Sequence, residues 1–266
     1  MDPEAQDLIE KSPSVQNKRT SNVRRGKAVL GVDEVKSFED LGKCLLAEFL
    51  GTMLLVLVGC GSCIAWGSEA PSVLQIAIAF GFIIAAMVQS VGHISGCHIN
   101  PAVTLGLFIM GRIGLLKAVL YVPAQCAGAV AGAALLKYMV PDPLVKTLGA
   151  TVVNNVITPG QGVAVEATIT AVLLLVVGAV TDPDRNDLAN AAPIAIGIAI
   201  TCCHIFAVPI TGSSMNPARA LGPAAIQSVW DHHWVYWVGP LLGAAVAGAV
   251  YRLVFKAPKD ENSYDL

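Results

Sequence analysis

Charge is what this 266-residue chain has least of: Asp, Glu, Lys and Arg make up 14% of it, against about a quarter in an ordinary soluble domain. Aromatic residues are only 6%, while 55% of the residues are hydrophobic and the mean hydropathy is +0.64. A chain so poor in charge presents no basic face for nucleic acid beyond one short polar stretch near its start, so no nucleic-acid partner is expected. It also lacks a nucleophile–base set and a glycine-rich phosphate loop, so it does not read as an enzyme. Its seven cysteines have no metal-ligand spacing, which argues against a zinc site or a disulfide framework; no metal or cofactor is expected. No Asn-x-Ser/Thr acceptor occurs, and no short apolar run with a small-residue cleavage site precedes the first long one, so neither N-glycosylation nor a signal peptide is expected. The net charge of −2 is uninformative about partners.

Long apolar runs are what the chain has instead. Six of them, at 43–66, 74–93, 116–139, 163–181, 190–209 and 233–255, are each near the length of about 20 residues that a hydrocarbon core requires. Two shorter ones, 101–111 and 217–228, are too short to cross. Each of these follows or begins at an Asn-Pro pair, where Asn suits the helix cap and Pro the first helical position, whose backbone N–H would be unpaired anyway. They read as re-entrant half-helices. Non-helical backbone at membrane depth survives only where protein buries it or where it lines a water-filled cavity, so two such loops imply a polar path between them.

The chain repeats itself. Asn100-Pro101-Ala102 and Asn216-Pro217-Ala218 lie 116 residues apart, and at that offset ISGCHINPAVTLG (94–106) overlies ITGSSMNPARALG (210–222) with seven of thirteen positions identical. Glu48 and Thr52 in the first run match Glu166 and Thr170 in the fourth. Glu48 precedes Asn100 by 52 residues and Glu166 precedes Asn216 by 50. Each half is thus three spans with a half-helix between its second and third, and an odd number of spans per half places the halves in opposite orientations. The expected fold is an all-α membrane protein, an inverted 3+3 repeat of six transmembrane helices and two half-helices whose N-termini meet near the midplane. Its expected organisation is a polar tail at 1–42, a channel domain at 43–256 with repeats at about 43–140 and 162–256, and a second tail at 257–266.

Basic residues set the direction. The N-terminal cluster, Arg112, Lys117, Arg185, Arg252, Lys256 and Lys259 fall on one side of a six-span topology, whereas Lys146 is the only basic residue in the surface connections on the other. Both termini are therefore expected in the cytoplasm, with the first Asn-Pro-Ala loop entering from there. Ser12, Ser14 and Ser21, among the N-terminal basic residues, are candidate phosphorylation sites.

Between the two boxes, Asn100 and Asn216 each carry an amide donor where two positive helix ends converge. A passing water is then held with its oxygen toward both amides, which breaks a proton-conducting chain, and the electropositive midplane repels cations. The one position where the boxes part company in charge is Val103 against Arg219. A cation in the first turn of a helix opposes the macrodipole and is costly at membrane depth, so the expected role of Arg219 is in the pore rather than in stability, the alternative being an Arg that snorkels to the outer interface.

The two Asn-Pro-Ala boxes, Ala47-Glu48-Phe49, the run Ser90 to Gly96 and the run Gly212 to Arg219 together closely resemble the aquaporin (major intrinsic protein) family, over about Leu41 to Phe255. The pattern is similar to its water-selective branch and to animal, including insect, members. The resemblance implies a homotetramer at the plasma membrane with one pore per protomer. It implies an outer selectivity filter made by Arg219 with Phe80, His204 and Ser213, and it implies that Glu48 and Glu166 anchor backbone N–H groups of the boxed loops. Glycerol-conducting relatives typically carry Asp after the second box and a smaller residue at the filter His; here Ala220 and His204 stand, which favours water. The family's common loop cysteine is replaced by Ser213, so the expected mercurial site is Cys97, at the equivalent position of the first loop. The expected function is a passive, osmotically driven water channel that excludes protons and ions. The alternatives are a channel that also passes glycerol, a substrate-coupled transporter, and a structural membrane protein with an occluded pore.

Overall fold

The computed structural model describes residues 29–31, 37–185 and 191–257. Ser12, Ser14 and Ser21 lie outside the described residues. The order of elements is α1 (Phe38–Gly61), α2 (Val73–Ser95), α3 (Pro101–Met110), α4 (Leu115–Met139), α5 (Pro159–Val180), α6 (Ala192–Thr211), α7 (Pro217–Gln227) and α8 (Val235–Val250), the last running into a π-helical turn at Tyr251–Phe255. Among the described residues there is no strand. Six of the helices are long and apolar enough to cross a membrane. The remaining two, α3 and α7, are the short ones that begin at the Asn-Pro pairs.

Caps place the helix ends where hydropathy does not. The first apolar run starts at residue 43, yet α1 starts at Phe38, because Ser37 accepts the Asp40 N–H and so satisfies a free donor of the first turn. Lys43 then pairs with Glu39 one turn back at 2.7 Å, so polar residues ahead of the apolar run are already helical. At the other end α1 stops at Gly61, five residues short of the apolar run's end. Likewise α5 begins at Pro159 rather than 163, through a reciprocal capping box between Thr158 and Gln161.

Small residues let the helices touch backbone to backbone. A Cβ added at Gly128 or Gly132 of α4 would collide with the carbonyls of Phe49 and Met53 on α1, and one at Gly243 of α8 with the Ala167 carbonyl on α5. The two contacts are equivalent in the two halves. Between the halves, α2 crosses α6 at Gly81, whose missing Cβ is occupied by Thr201 and the Gly197 carbonyl. Lipid offers no hydrophobic gain for such contacts, so close packing is what holds these helices together.

At one end of the bundle Asp182, just after α5, gathers the chain. Its Oδ2 accepts from the Tyr251 hydroxyl at 2.7 Å and the Ala257 N–H at 3.2 Å, and lies 3.4 Å from Arg112. Burial alone would raise the Asp182 pKa, but these donors, the Asp184 N–H and the Arg112 charge outweigh it and hold the carboxyl below its usual value. Arg112, Arg252 and Lys256 all lie at this end, Arg252 donating to the Ile109 carbonyl and Lys256 pairing with Asp184.

Candidate pore

The two boxed loops meet inside the bundle as near copies. Gly96, Cys97 and Ile99 have positive φ (88°, 49° and 43°), and so do Gly212, Ser213 and Met215 (79°, 52° and 52°), each pair again 116 apart. Left-handed backbone at four non-glycine residues is strained, and it persists because buried carboxylates overdetermine it. Glu48 accepts from the N–H groups of His98 (2.9 Å) and Ile99 (2.6 Å) and from the Ser95 hydroxyl (2.6 Å). Glu166 accepts from Ser214 N–H (3.0 Å), Met215 N–H (2.8 Å) and the Thr211 hydroxyl (2.6 Å). Tyr121 donates to the Ser95 carbonyl and Tyr236 to the Thr211 carbonyl, each at 2.8 Å. The first half has one extra donor, Gln125, which bonds both Glu48 and Thr104.

With their N–H groups turned to the carboxylates, the loops turn their carbonyls the other way. Among the described residues no donor reaches the carbonyl oxygens of Gly96, Cys97, His98, Gly212, Ser213 or Ser214. Where those loops meet, Asn100 and Asn216 tie them together. Each Oδ1 caps its own helix through Ala102 N–H (2.8 Å) or Ala218 N–H (3.0 Å). Each Nδ2 crosses to the opposite loop, Asn100 to the Met215 carbonyl and Asn216 to the Ile99 carbonyl, both at 2.8 Å. The amide therefore uses one of its two hydrogens on the partner loop, and one per asparagine remains for the lumen.

A narrow cavity of about 80 Å³ runs past these amides, lined by both asparagines, Arg219, Phe80, His204 and Cys97. That holds on the order of five waters. Its wall, mostly apolar, comes one residue per helical turn from each of three helices: Phe80, Ile84 and Val88 of α2, Ile196, Ile200 and the polar His204 of α6, and Leu173, Val177 and, just past its end, the polar Thr181 of α5. At the offset of 116, Phe80 overlies Ile196 and Val88 overlies His204. The polar constriction thus has an apolar mirror image in Ile196, Val88 and Val103.

Of the sequence-predicted filter residues, Phe80, His204 and Arg219 come together. Phe80 and His204 stack with ring centroids 4.5 Å apart, and the Arg219 guanidinium lies 4.7 Å from the Phe80 centroid. Arg219 Nη1 donates to the Gly149 carbonyl at 2.8 Å and contacts Cys60 Sγ at 3.4 Å. His204 Nδ1 donates to the Ile200 carbonyl at 3.0 Å, so the neutral ring keeps Nε2 as an acceptor. Ser213 is fully buried and its side chain does not line the cavity. Among the described residues, five buried polar side-chain atoms have no protein partner, and three of them are Arg219 Nε, His204 Nε2 and Ser213 Oγ. Native interiors rarely leave such atoms unpaired, and two of them, Arg219 Nε and His204 Nε2, belong to residues that line the cavity, which marks a place built for a polar permeant.

Sequence reasoning assigned no role in holding the loops or the filter to Ser95 and Thr211, Tyr121 and Tyr236, Gln125, Cys60 and the Gly149 carbonyl. The first two pairs carried a signal, since they sit in register at 116 and 115. The last three have no counterpart in the other half.

The sequence profile described as Major intrinsic protein matches residues 34–251. The chain belongs to that family. It is 46% identical over 217 residues to Aquaporin-4 of Mus musculus, covering 80% of this chain and 67% of that protein. To Aquaporin-2 of Bos taurus it is 46% identical over 216 residues, 81% of this chain and 80% of that one. The fold is shared with the aquaglyceroporin from Plasmodium falciparum, at a TM-score of 0.73 and 23% identity over 81% of this chain and 97% of that structure. Among the described residues no group of three or more His, Cys, Asp or Glu is placed to hold a metal ion.

Proposed function

We propose that this member of the major intrinsic protein family is a water-selective channel of the plasma membrane, working as a homotetramer with a pore in each protomer and both termini in the cytoplasm. The observation that carries water over larger solutes is the constriction itself, in which the Phe80 ring stacks on His204 and lies against the Arg219 guanidinium, and two unpaired polar atoms, Arg219 Nε and His204 Nε2, offer a donor and an acceptor. Water, which both donates and accepts, matches such a pair. A glycerol backbone would have to push three hydrocarbon carbons past a charged, polar ring that it cannot satisfy. Asn100 and Asn216, each with one amide hydrogen to give, orient water at the meeting of α3 and α7, where the two positive helix ends oppose cations. Glu48 and Glu166 hold the loops so that their carbonyls form a ladder through the lumen. The close identity to Aquaporin-4 and Aquaporin-2 supports the same reading.

The test is stopped-flow light scattering on proteoliposomes of the purified chain. Fast osmotic shrinkage with low activation energy, and glycerol entering no faster than into empty vesicles, is expected. Glycerol influx comparable to water would make this a broader channel, and flux that saturates or needs an ion would make it a coupled transporter.

Cys97 lines the cavity beside the first box, with its amide held by Ser95 Oγ at 3.0 Å. A mercurial bonded there would fill much of a cavity of only about 80 Å³. Treatment with a small organomercurial should abolish most of the osmotic flux, and Cys97→Ser should restore it. Full sensitivity in Cys97→Ser would place the reactive thiol elsewhere.

A further inference from the structure

We infer that Cys60 of α1 is a positioning residue for the selectivity filter: its sulfur and the Gly149 carbonyl together fix the plane of the Arg219 guanidinium. This rests on the reading of Arg219 as part of the filter. Nη1 of a guanidinium has two hydrogens. One goes to the Gly149 carbonyl at 2.8 Å and the other to Cys60 Sγ at 3.4 Å. A planar group held by both hydrogens of one nitrogen cannot pivot about either bond, so its remaining donors keep facing the lumen. With the carbonyl alone, rotation about a single hydrogen bond becomes free.

Cys60 meets the filter from more than one direction. It is wholly buried, and Gly149, in the left-handed region at φ 71°, packs directly on it: a Cβ at Gly149 would lie 2.9 Å from the Cys60 Cβ and 3.0 Å from its carbonyl oxygen. The residue that contacts Arg219 therefore also supports the carbonyl that Arg219 bonds. Its neighbour Gly59 leaves the hollow that the Phe80 ring fills. Residues 59 and 60 thus form a wall behind both the aromatic and the cationic members of the constriction. The second half has no equivalent contact, since Val103 stands where Arg219 would need it. Sulfur is a weak acceptor, but the donor is charged and both are shielded from bulk water.

The experiment compares wild type with Cys60→Ala, Cys60→Val and Cys60→Ser in proteoliposomes, reading the ratio of glycerol to water permeability, with Arg219→Val as the reference. Size-exclusion elution at the wild-type position qualifies each variant. Removing the acceptor is expected to raise the ratio about fivefold in both Cys60→Ala and Cys60→Val, as loss of one hydrogen bond of ordinary net strength, weakened by its sulfur acceptor, implies. Cys60→Ser, which keeps an acceptor on the same carbon, is expected to return it close to wild type. A wild-type ratio in both Cys60→Ala and Cys60→Val overturns the inference, as does a Val variant that alone behaves as wild type, because packing would then explain the site. Equal elevation in Ala and Ser overturns it too. If Arg219→Val leaves the ratio unchanged, the filter reading fails and this inference with it; if Arg219→Val raises the ratio and the Cys60 variants do not, only this inference fails.

Discussion

Replacing Glu48 by Ala is expected to abolish the folded channel, and Glu166→Ala to come close to doing so. Glu48 accepts four hydrogen bonds, from Ser95, His98, Ile99 and Gln125, at 2.6 to 2.9 Å, and it is wholly buried. Truncation strands two backbone N–H groups and the Ser95 hydroxyl in the interior of a membrane protein and leaves the Gln125 amide with Thr104 alone. Each buried donor left without a partner costs about 1–3 kcal/mol, so three of them approach the total stability of about 5–15 kcal/mol typical of a domain. The damage is also local in kind. The left-handed residues Cys97 and Ile99 have no reason to keep their conformation once the carboxylate is gone, and without it the carbonyl ladder turns away from the lumen. Glu166 holds three donors rather than four, so its variant is expected to retain a little more. The measurement is thermal stability in detergent by size-exclusion chromatography together with osmotic permeability. A Glu48→Ala protein that elutes as a single peak at the wild-type melting temperature, with wild-type flux, would show that the loop is held by something else.

The scaffold could be read from the sequence because it is duplicated. The pair Glu48 and Glu166, the boxes at Asn100 and Asn216, and the long apolar runs each appear twice, and a pattern that recurs at one offset is visible without any structure. What stayed hidden was single or depended on three dimensions. Helix starts depended on caps: Ser37 and Thr158 precede the apolar runs they extend, and hydropathy gives polar residues no credit for being helical. Cys60, Gly149 and Gln125 act on the pore from positions with no partner in the other half, so no internal comparison could single them out. The asparagine amides were legible as donors, but that each spends a hydrogen on the opposite loop follows only from the loops being brought into contact. Ser213, whose position marked it for the filter, is buried with its hydroxyl unpartnered.

Selectivity is expected to rest on the residue that breaks the symmetry. Arg219→Val gives the second box the residue that Val103 already supplies in the first, and so asks what the charge does. Val keeps a branched apolar side chain on α7, and the cap from Asn216 Oδ1 to the backbone of residues 218 and 219 is untouched, so the fold should stand. A permeating cation about 6 Å from a fixed charge meets about 3 kcal/mol of repulsion at an effective dielectric constant near 20. Its removal should therefore raise cation and proton leakage on the order of a hundredfold. The leak should remain far below water flux, because the opposed helix ends at Asn100 and Asn216 still present a positive midplane. Glycerol should enter as well, since Arg219 also supplies bulk beside Phe80. His204→Ala tests the other side: it removes the acceptor and a ring from the constriction but leaves the cation, so it should admit glycerol with little added proton leak. Proton flux read by a pH-sensitive dye inside proteoliposomes, beside osmotic water and glycerol flux, separates these effects. Equal proton leakage in Arg219→Val and wild type would assign the whole electrostatic barrier to the two half-helix ends.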